Sequence, residues 1–144
     1  MFIGEFQHML DSKGRVIIPS RLRDGLGERF VLTRGIEPCV AVYPLDEWNR
    51  TEEKLINNPM TKKDLRALNR IMFSGAMEVE LDKQSRALIP QYLREHAQID
   101  KNVMILGVGD RVEIWNEDTW RKYYEEVSDN LSEMLENLEL PHGR

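Results

Sequence analysis

The sequence predicts an α+β protein whose strands form one small β-barrel from a unit that occurs twice. Residues 10–23 recur at 81–94 with seven identities in fourteen positions, where residue frequencies predict about one chance match. Short segments that are rich in β-branched residues and bounded by turn residues indicate strands. Two such strand groups in one chain can close a barrel without free edges, with short helices around it and a long helix at the C-terminus.

The size and composition of the chain fit such a barrel. Its 144 residues are 41% apolar and 31% charged, which suits one domain or two small halves that share a core. The apolar runs are shorter than the ~20 residues of a membrane span. The first residues lack the basic region, apolar core and cleavage site of a signal peptide. We therefore expect a cytoplasmic protein with no membrane partner.

Cysteine and histidine usage gives no sign of a cofactor. The single cysteine, Cys39, cannot form an internal disulfide, which fits a reducing compartment. We expect it to be a small buried apolar residue, with a reactive thiol as the alternative. The histidines, His8, His96 and His142, show no metal-ligand spacing, so we expect neither a metal nor another cofactor.

Charge is distributed unevenly along the chain. Residues 1–116 contain 17 Lys+Arg and 17 Asp+Glu, whereas residues 117–144 contain 3 and 8, which accounts for the whole net charge of −5. The repeated phrases are locally basic, with +3 over 10–23 and +2 over 81–94. A neutral body can therefore carry a positive patch while an acidic tail points elsewhere.

Each half of the chain reads as a strand, a basic turn, a short strand, a short helix, two strands and a longer helix. In the first half FIGEFQHML is strand-like, and DSKG is a turn because Asp bonds its own backbone and Gly supplies positive φ. RVII is a short strand, and Pro19 begins a short helix at a position where its missing N–H is not needed. FVLTRG and CVAVY form a hairpin-like pair.

Helices follow that hairpin. Asp46 is expected to cap the helix that carries Trp48, and the Asn-Asn-Pro run at 57–59 ends it. Thr61 is expected to cap a connecting helix that runs to about Phe73. The predicted segments are a first repeat over 1–57, a connecting helix over 58–73, a second repeat over 74–120, and an acidic C-terminal helix and tail over 121–144.

The repeat continues beyond the basic phrase. Gly4 matches Gly75 with the numerical difference of 71 that relates the two phrases. Later matches differ by 72 and pair Val31, Gly35, Val40, Asp46 and Trp48 with Val103, Gly107, Val112, Asp118 and Trp120. The second half therefore has an insertion of one residue between the two sets of matches.

The final helix is predicted to carry an apolar stripe on an acidic surface. Asn116 is its expected N-cap. The stripe consists of residues at helical spacing, namely Trp120, Tyr124, Val127, Leu131, Leu135 and Leu138. We expect the first turns of this helix to pack on the barrel. For the later turns, packing on the same chain and contact with a partner remain equally open.

The two repeated turns present cations at related positions. Each has an Asp, a Lys within two residues of it and an Arg four residues after it: Asp11, Lys13 and Arg15 in the first turn, and Asp82, Lys83 and Arg86 in the second. The planar fork of arginine binds phosphate or guanine at two points. Paired basic turns on a rigid barrel therefore indicate a reader of duplex DNA. The alternative is that each Asp pairs with its Arg only to fix the turn. An Asp can also do both, fixing the turn and orienting its Arg toward DNA.

Several ungapped motifs in the same order give the chain a resemblance to a known family. They are GEFQHMLDSKGRVIIPSRLR, LTRG, VYPLDEW, FSGAMEVELDKQSRALIPQYLR and GVGDRVEIW. Over roughly residues 1–140 the chain resembles the MraZ family, which are bacterial transcriptional regulators of the division and cell-wall gene cluster. The resemblance implies a duplicated swapped-hairpin barrel of the SpoVT–AbrB type in a nucleoid-associated protein.

The same resemblance implies a mode of DNA binding. The family binds through the D-x-x-x-R motif of each half, assembles several chains into a ring, and recognises repeated promoter elements in double-stranded DNA. By this resemblance Arg15 and Arg86 are the leading DNA contacts, with Lys13 and Lys83 beside them. One departure is Ser85, because the family motif commonly has Gly there. Either Ser85 is strained at positive φ by ~1 kcal/mol or the second turn has another shape.

Other classes of protein explain less of the sequence. An enzyme with a small-molecule substrate is not expected, because no nucleophile motif stands out and GVGDRV lacks the helix and Lys of a phosphate cradle. A protein-binding scaffold acting through the C-terminal helix leaves the repeated basic turns unexplained. An antitoxin-like DNA binder usually has one barrel unit per chain, whereas this chain has two.

Overall fold

The computed structural model describes residues 1–57 and 63–138. Its elements in chain order are β1 (Phe2–Met9), β2 (Arg15–Ile17), α1 (Ser20–Leu26), β3 (Arg29–Arg34), β4 (Cys39–Pro44), α2 (Leu45–Asn57), α3 (Lys63–Gly75), β5 (Met77–Glu80), β6 (Arg86–Leu88), α4 (Gln91–His96), β7 (Asn102–Gly109), β8 (Val112–Asn116), α5 (Glu117–Asp129) and α6 (Leu131–Asn137). The predicted helix break at Asn58 and Pro59 and the predicted cap Thr61 lie outside the described residues.

The two halves of the chain exchange strands. β1 pairs with β7 of the second half, and β5 pairs with β3 of the first half, both antiparallel. The hairpins β3–β4 and β7–β8 meet through β4 and β8, which gives one six-stranded sheet of order β1-β7-β8-β4-β3-β5. This exchange confirms the predicted α+β fold with duplicated, swapped hairpins.

Strands β2 and β6 form a separate two-stranded ribbon. Val16 pairs with Ala87, its equivalent in the second repeat (87 − 16 = 71), so the pseudo-two-fold axis passes through this pair. Both side chains are buried in the barrel core. The six-stranded sheet ends at β1 and β5, and the ribbon lies against both of these strands. Packing of the ribbon, and not a continuous ladder of hydrogen bonds, therefore closes the barrel.

The sheet has an inner face toward the barrel core and an outer face under the helices. Inner residues include Phe30, Leu32, Val40, Val42, Val103, Ile105, Val112 and Ile114, which join Val16, Ile18, Ala87 and Ile89 of the ribbon segments. On the outer face α2 and α3 cover Val31, Ala41 and Tyr43, and α5 packs beside Cys39, Met104 and Trp115. Alternate residues along β3, β4, β7 and β8 thus pack in the barrel core and in a cluster on the outer face.

The strand register corrects part of the predicted alignment of the repeats. Val31 lies on the outer face and Val103 on the inner face, so the two are not equivalent. Phe30 instead corresponds to Val103 (103 − 30 = 73), since both lie on the inner face directly after an exposed strand residue. A shift of one residue moves every side chain of a strand to the other face. The same shift makes the match of Gly35 with Gly107 wrong.

Three of the helix starts predicted from the sequence lie among the described residues. The structure has one of them at the predicted residue and the other two at a neighbouring residue. The Oδ1 atom of Asn116 accepts a hydrogen bond from the Thr119 N–H at 3.1 Å, which confirms this N-cap. The prediction for Asp46 was wrong, because α2 begins one residue earlier and Asp46 lies within its first turn. Pro19 has an extended backbone, with φ −54° and ψ 138°, and so precedes α1 as its cap position.

The expectation of one long final helix was wrong, because it is interrupted at Asn130. That residue has φ −113° and ψ 11°, and its Nδ2 donates to the Glu126 carbonyl at 3.0 Å. An Asn side chain competes with the helical backbone for such bonds, which favours a break. Trp120 at the start of α5 packs edge-on against Trp115, as expected for the first turns, whereas Leu138 is exposed.

None of the helices in residues 1–57 and 63–138 is long and apolar enough to cross a membrane.

Candidate nucleic-acid interface

The first basic turn is organised by its own aspartate. The Oδ1 atom of Asp11 accepts hydrogen bonds from the N–H groups of Lys13 at 2.9 Å and Arg15 at 3.0 Å. Its Oδ2 atom accepts from Nε of Arg15 at 2.7 Å. Donation by the Arg15 backbone, reinforced by the Arg15 side chain, holds the pKa of Asp11 at about 2. The carboxylate is therefore charged at neutral pH and fixes the direction of the guanidinium.

The second turn repeats this arrangement bond for bond. The Oδ1 atom of Asp82 accepts from the N–H groups of Gln84 and Arg86, both at 2.9 Å, and its Oδ2 atom accepts from Nε of Arg86 at 2.8 Å. The backbone N–H of Arg86 is the main cause of a lowered pKa of Asp82. The pairing of Asp with Arg that the sequence left open is thus present in both turns.

Ser85 adopts the backbone conformation that Gly14 has in the first turn. Their φ angles are 60° and 83°, and each N–H donates to the carbonyl of the preceding aspartate at 3.0 Å. Of the two expectations for this position, strain at positive φ is the one that the structure bears out. A serine in the left-handed region costs about 1 kcal/mol or more relative to glycine.

The side chain of Ser85 also displaces a neighbouring arginine. A Cβ atom at Gly14 would lie 2.9 Å from Cζ of Arg94, whose Nε donates to the Ile89 carbonyl at 3.0 Å. At the second turn Nη1 of Arg23, the equivalent arginine, donates to Oγ of Ser85 at 2.6 Å. The Nε atom of Arg23 is buried and has no hydrogen-bond partner among the described residues. The two turns thus share a backbone shape but differ in the arginine packed beside them.

Replacing Ser85 by Gly is therefore expected to raise stability slightly. The change relieves positive-φ strain of ~1 kcal/mol and frees Arg23 to bond the Ile18 carbonyl, as Arg94 bonds Ile89. Loss of the Oγ hydrogen bond and the greater freedom of Gly in the unfolded chain offset part of this gain. We expect the melting temperature to rise by about 1–3 °C, and the matched change Gly14→Ser to lower it. A fall after Ser85→Gly would show that the bond to Arg23 outweighs the strain.

Acid should loosen both turns over a defined range of pH. The folded pKa values of Asp11 and Asp82 lie below the unfolded value near 3.9. Their contribution to stability is therefore present above about pH 4 and is lost as the pH falls toward 2. We expect the urea midpoint to fall in that range, and to fall less in the variant Asp11→Asn/Asp82→Asn. Equal acid sensitivity of the two proteins would contradict this assignment.

The ribbon brings the two arginines onto one outward face. Arg15 and Arg86 flank the buried pair of Val16 and Ala87 and point away from the core. Nη1 of Arg86 lies 3.7 Å from Oδ2 of Asp11, so the two turns are in direct electrostatic contact. The side chains of Arg15 and Arg86 are 30% and 25% exposed. Within residues 1–57 and 63–138, the terminal nitrogens of Arg15 make no hydrogen bond.

The structure places the two lysines beside this face but not at equivalent positions. Lys13 occupies the third position of its turn, where the second turn has Gln84. The Oε1 atom of Gln84 accepts a hydrogen bond from Nη2 of Arg86 at 2.5 Å. Lys83 occupies the second position, where the first turn has Ser12. Both lysines are exposed. The Nε bonds of the arginines are therefore the symmetric part of the site. The positions of the lysines and the contact of Arg86 with Gln84 distinguish the two turns.

Ile17 and Leu88 lie on the same outward face, although neither was among the candidate residues expected from the sequence. Their side chains are 48% and 50% exposed. The signal was present in RVII and RALI, because alternate residues of a strand share a face and Ile17 therefore lies with Arg15. It was overlooked because both segments read as uniformly apolar after the arginine.

Other kinds of site are not supported by the described residues. They contain no group of three or more His, Cys, Asp or Glu side chains that could bind a metal ion. Cys39 is buried, and burial raises the pKa of its thiol, which favours the packing role over the reactive one. The ribbon with its two turns is therefore the candidate site.

The duplication also appears in comparison with known proteins. The sequence profile of the family described as "MraZ protein, putative antitoxin-like" matches residues 1–71 and, separately, residues 72–140. The chain belongs to the MraZ family. Each of the two MraZ matches includes one of the D-x-x-x-R turns.

Two curated relatives agree with this assignment over nearly the whole length. The chain is 51% identical over 139 residues to the transcriptional regulator MraZ of Caldanaerobacter subterraneus subsp. tengcongensis, which covers 96% of this chain and 97% of that protein. It is 52% identical over 138 residues to the transcriptional regulator MraZ of Heliobacterium modesticaldum, with 96% of each covered. These matches confirm the resemblance to MraZ and place the chain among transcriptional regulators.

Proposed function

We propose that the chain is a sequence-specific, DNA-binding transcriptional regulator that contacts duplex DNA through both D-x-x-x-R turns. One observation carries this proposal. The ribbon presents Arg15 and Arg86, one from each MraZ repeat, on a single outward face with their Nε atoms bonded to Asp11 and Asp82. A guanidinium fixed in this way can bind guanine or phosphate at two points. The terminal nitrogens of Arg15 make no hydrogen bond among the described residues, and we infer that DNA replaces Gln84 as the partner of Nη2 of Arg86.

Charge around the turns supports the same assignment. Each Asp orients the guanidinium of its Arg before a phosphate or base oxygen arrives, but it also offsets the charge of that Arg. Lys13 and Lys83 therefore supply the exposed positive charge of the turns. The acidic residues that give the net charge of −5 lie in 117–144, outside both turns. An acidic chain can therefore bind DNA through a local positive surface. Asp11 and Asp82 act as positioning residues in this account.

The proposal extends to the assembly and its target. We infer that several chains form a ring in the cytoplasm, at the nucleoid, and bind repeated promoter elements of the division and cell-wall gene cluster. No enzymatic step is part of this role. A second role in protein contact is favoured by Tyr124, Leu131 and Leu138, which leave much of their apolar surface exposed on α5 and α6.

The proposed function can be tested by titrating the chain against its own upstream DNA in a gel-shift assay. We expect a retarded complex whose affinity falls when one repeated element is removed. A duplex of equal length with scrambled elements is the matched control. Equal affinity for the upstream and scrambled duplexes would refute sequence-specific binding and would favour the protein-binding role.

A further inference from the structure

The outward face of the ribbon alternates arginine with apolar side chains. Arg15 lies directly opposite Leu88, and Ile17 lies directly opposite Arg86. Ile17 and Leu88 are equivalent residues of the two repeats (88 − 17 = 71), so the arrangement is symmetric about the Val16–Ala87 pair. Residues opposite each other in such a pair have Cβ atoms about 4.5–5.5 Å apart. Two apolar and two cationic groups therefore share one small surface.

The packing of the barrel does not require these apolar groups. Val16 and Ala87 fill the core beneath the ribbon, while Ile17 and Leu88 leave about half of their surface exposed. A single exposed apolar residue is normal on a protein surface. Here both repeats place one on the surface assigned to DNA, next to the arginine of the other repeat. A polar side chain at either position would be equally compatible with a two-stranded ribbon.

The chemistry of the major groove supplies a partner for each kind of group. That groove is wide enough to admit a two-stranded β-ribbon, and guanine offers N7 and O6 to arginine there. Its apolar feature is the C5-methyl group of thymine, which aliphatic side chains contact. The charge of the flanking turns favours nucleic acid as the occupant of this face over an apolar protein surface.

We propose that Ile17 and Leu88 contact thymine methyl groups in the major groove and so contribute to sequence recognition. This inference rests on the proposed function, since it requires the ribbon to face duplex DNA. It adds a base-reading role for two apolar residues beside the arginine contacts. Binding in the minor groove is the competing geometry, and there apolar side chains act as wedges that do not contact the methyl group.

The test compares thymine with uracil, which lacks only the methyl group. The upstream duplex is amplified with dTTP or with dUTP, and the affinity of the chain for each is measured by fluorescence anisotropy. Each lost methyl contact is expected to weaken binding roughly fourfold. The variant Ile17→Ala/Leu88→Ala should bind the thymine duplex more weakly and should no longer distinguish it from the uracil duplex.

Matched controls separate this effect from changes in folding or in DNA shape. Ile36→Ala/Leu45→Ala removes an exposed Ile and an exposed Leu outside the ribbon and should keep the full preference for thymine. Ile17→Val/Leu88→Ile preserves aliphatic surface at both positions and should keep most of the preference for thymine. Thermal melts check that every variant is folded.

The outcomes distinguish the inference from the function on which it rests. Binding of both duplexes with equal affinity by the unsubstituted chain would overturn the methyl contacts while leaving DNA binding intact. Undiminished preference for thymine in Ile17→Ala/Leu88→Ala would also overturn them. Failure to bind either duplex would refute the proposed function, and the inference with it.

Discussion

Replacing Arg15 and Arg86 together by alanine is expected to weaken element-specific DNA binding strongly while leaving the chain folded. In the proposed complex each arginine contacts a base at two points, and such a contact accounts for about 1–3 kcal/mol of discrimination. A single replacement should therefore weaken specific binding roughly 5- to 150-fold, and the double replacement about 30-fold or more. Anisotropy titrations against the upstream duplex and a scrambled duplex measure both effects.

A matched surface variant and a melting curve complete this experiment. Arg50→Ala removes an exposed arginine of α2 that also pairs with an acidic neighbour, Glu47, at 2.6 Å, and it should leave affinity unchanged. Partly exposed ion pairs contribute about 0–1 kcal/mol to stability, so the melting temperature of the double variant should fall by only a few degrees. Unchanged affinity with a strongly lowered melting temperature would show that the arginines only hold the turns.

Affinity is expected to depend steeply on the number of repeated DNA elements. One ribbon offers few contacts, so a single short element should bind weakly. If chains join in a ring, each later contact is intramolecular, and affinity can exceed that for one site by ~10²–10⁴-fold when the spacing fits. That spacing should be about 10–10.5 base pairs, so that successive ribbons meet the same side of the duplex.

Duplexes with one, two and three elements test this prediction in one titration series. Three elements with five base pairs inserted between neighbours form the matched control, because half a helical turn moves alternate elements to opposite sides. We expect affinity to rise with each added element and to drop to near the single-element value after the insertions. Equal binding of one and three elements, or no effect of the insertions, would favour a single-site regulator.

The geometry of the turns is local, and the sequence already offered the pairing of each Asp with its Arg as one of two interpretations. Asp11 and Arg15 are four residues apart, and so are Asp82 and Arg86, so each ion pair forms within one turn whatever the rest of the chain does. The repeated phrase likewise made the duplicated barrel predictable. The match of Ser85 with Gly14 left two options, positive φ at Ser85 or a second turn of another shape. The structure has positive φ there, because the repeat fixes the backbone more strongly than residue preference does.

Long-range packing accounts for what the sequence did not reveal. The place of Arg23 depends on Ser85, a residue 62 positions away, and no local pattern links the two. The register of β3 was misread because the identity of Val31 and Val103 suggested a match, whereas burial of Phe30 and Val103 on one face decides it. Strand alternation already placed Ile17 on the face of Arg15, but its position opposite Arg86 depends on the pairing of two strands that are far apart in sequence.

Photo-crosslinking from the turns tests the central claim most directly, namely that both turns of one chain contact DNA. A photoreactive amino acid is placed at Lys13, at Lys83 or, as the control, at Arg50, and each protein is irradiated with the labelled upstream duplex. We expect crosslinks to DNA from Lys13 and from Lys83 and none from Arg50. Crosslinks from only one turn, or from neither, would contradict it.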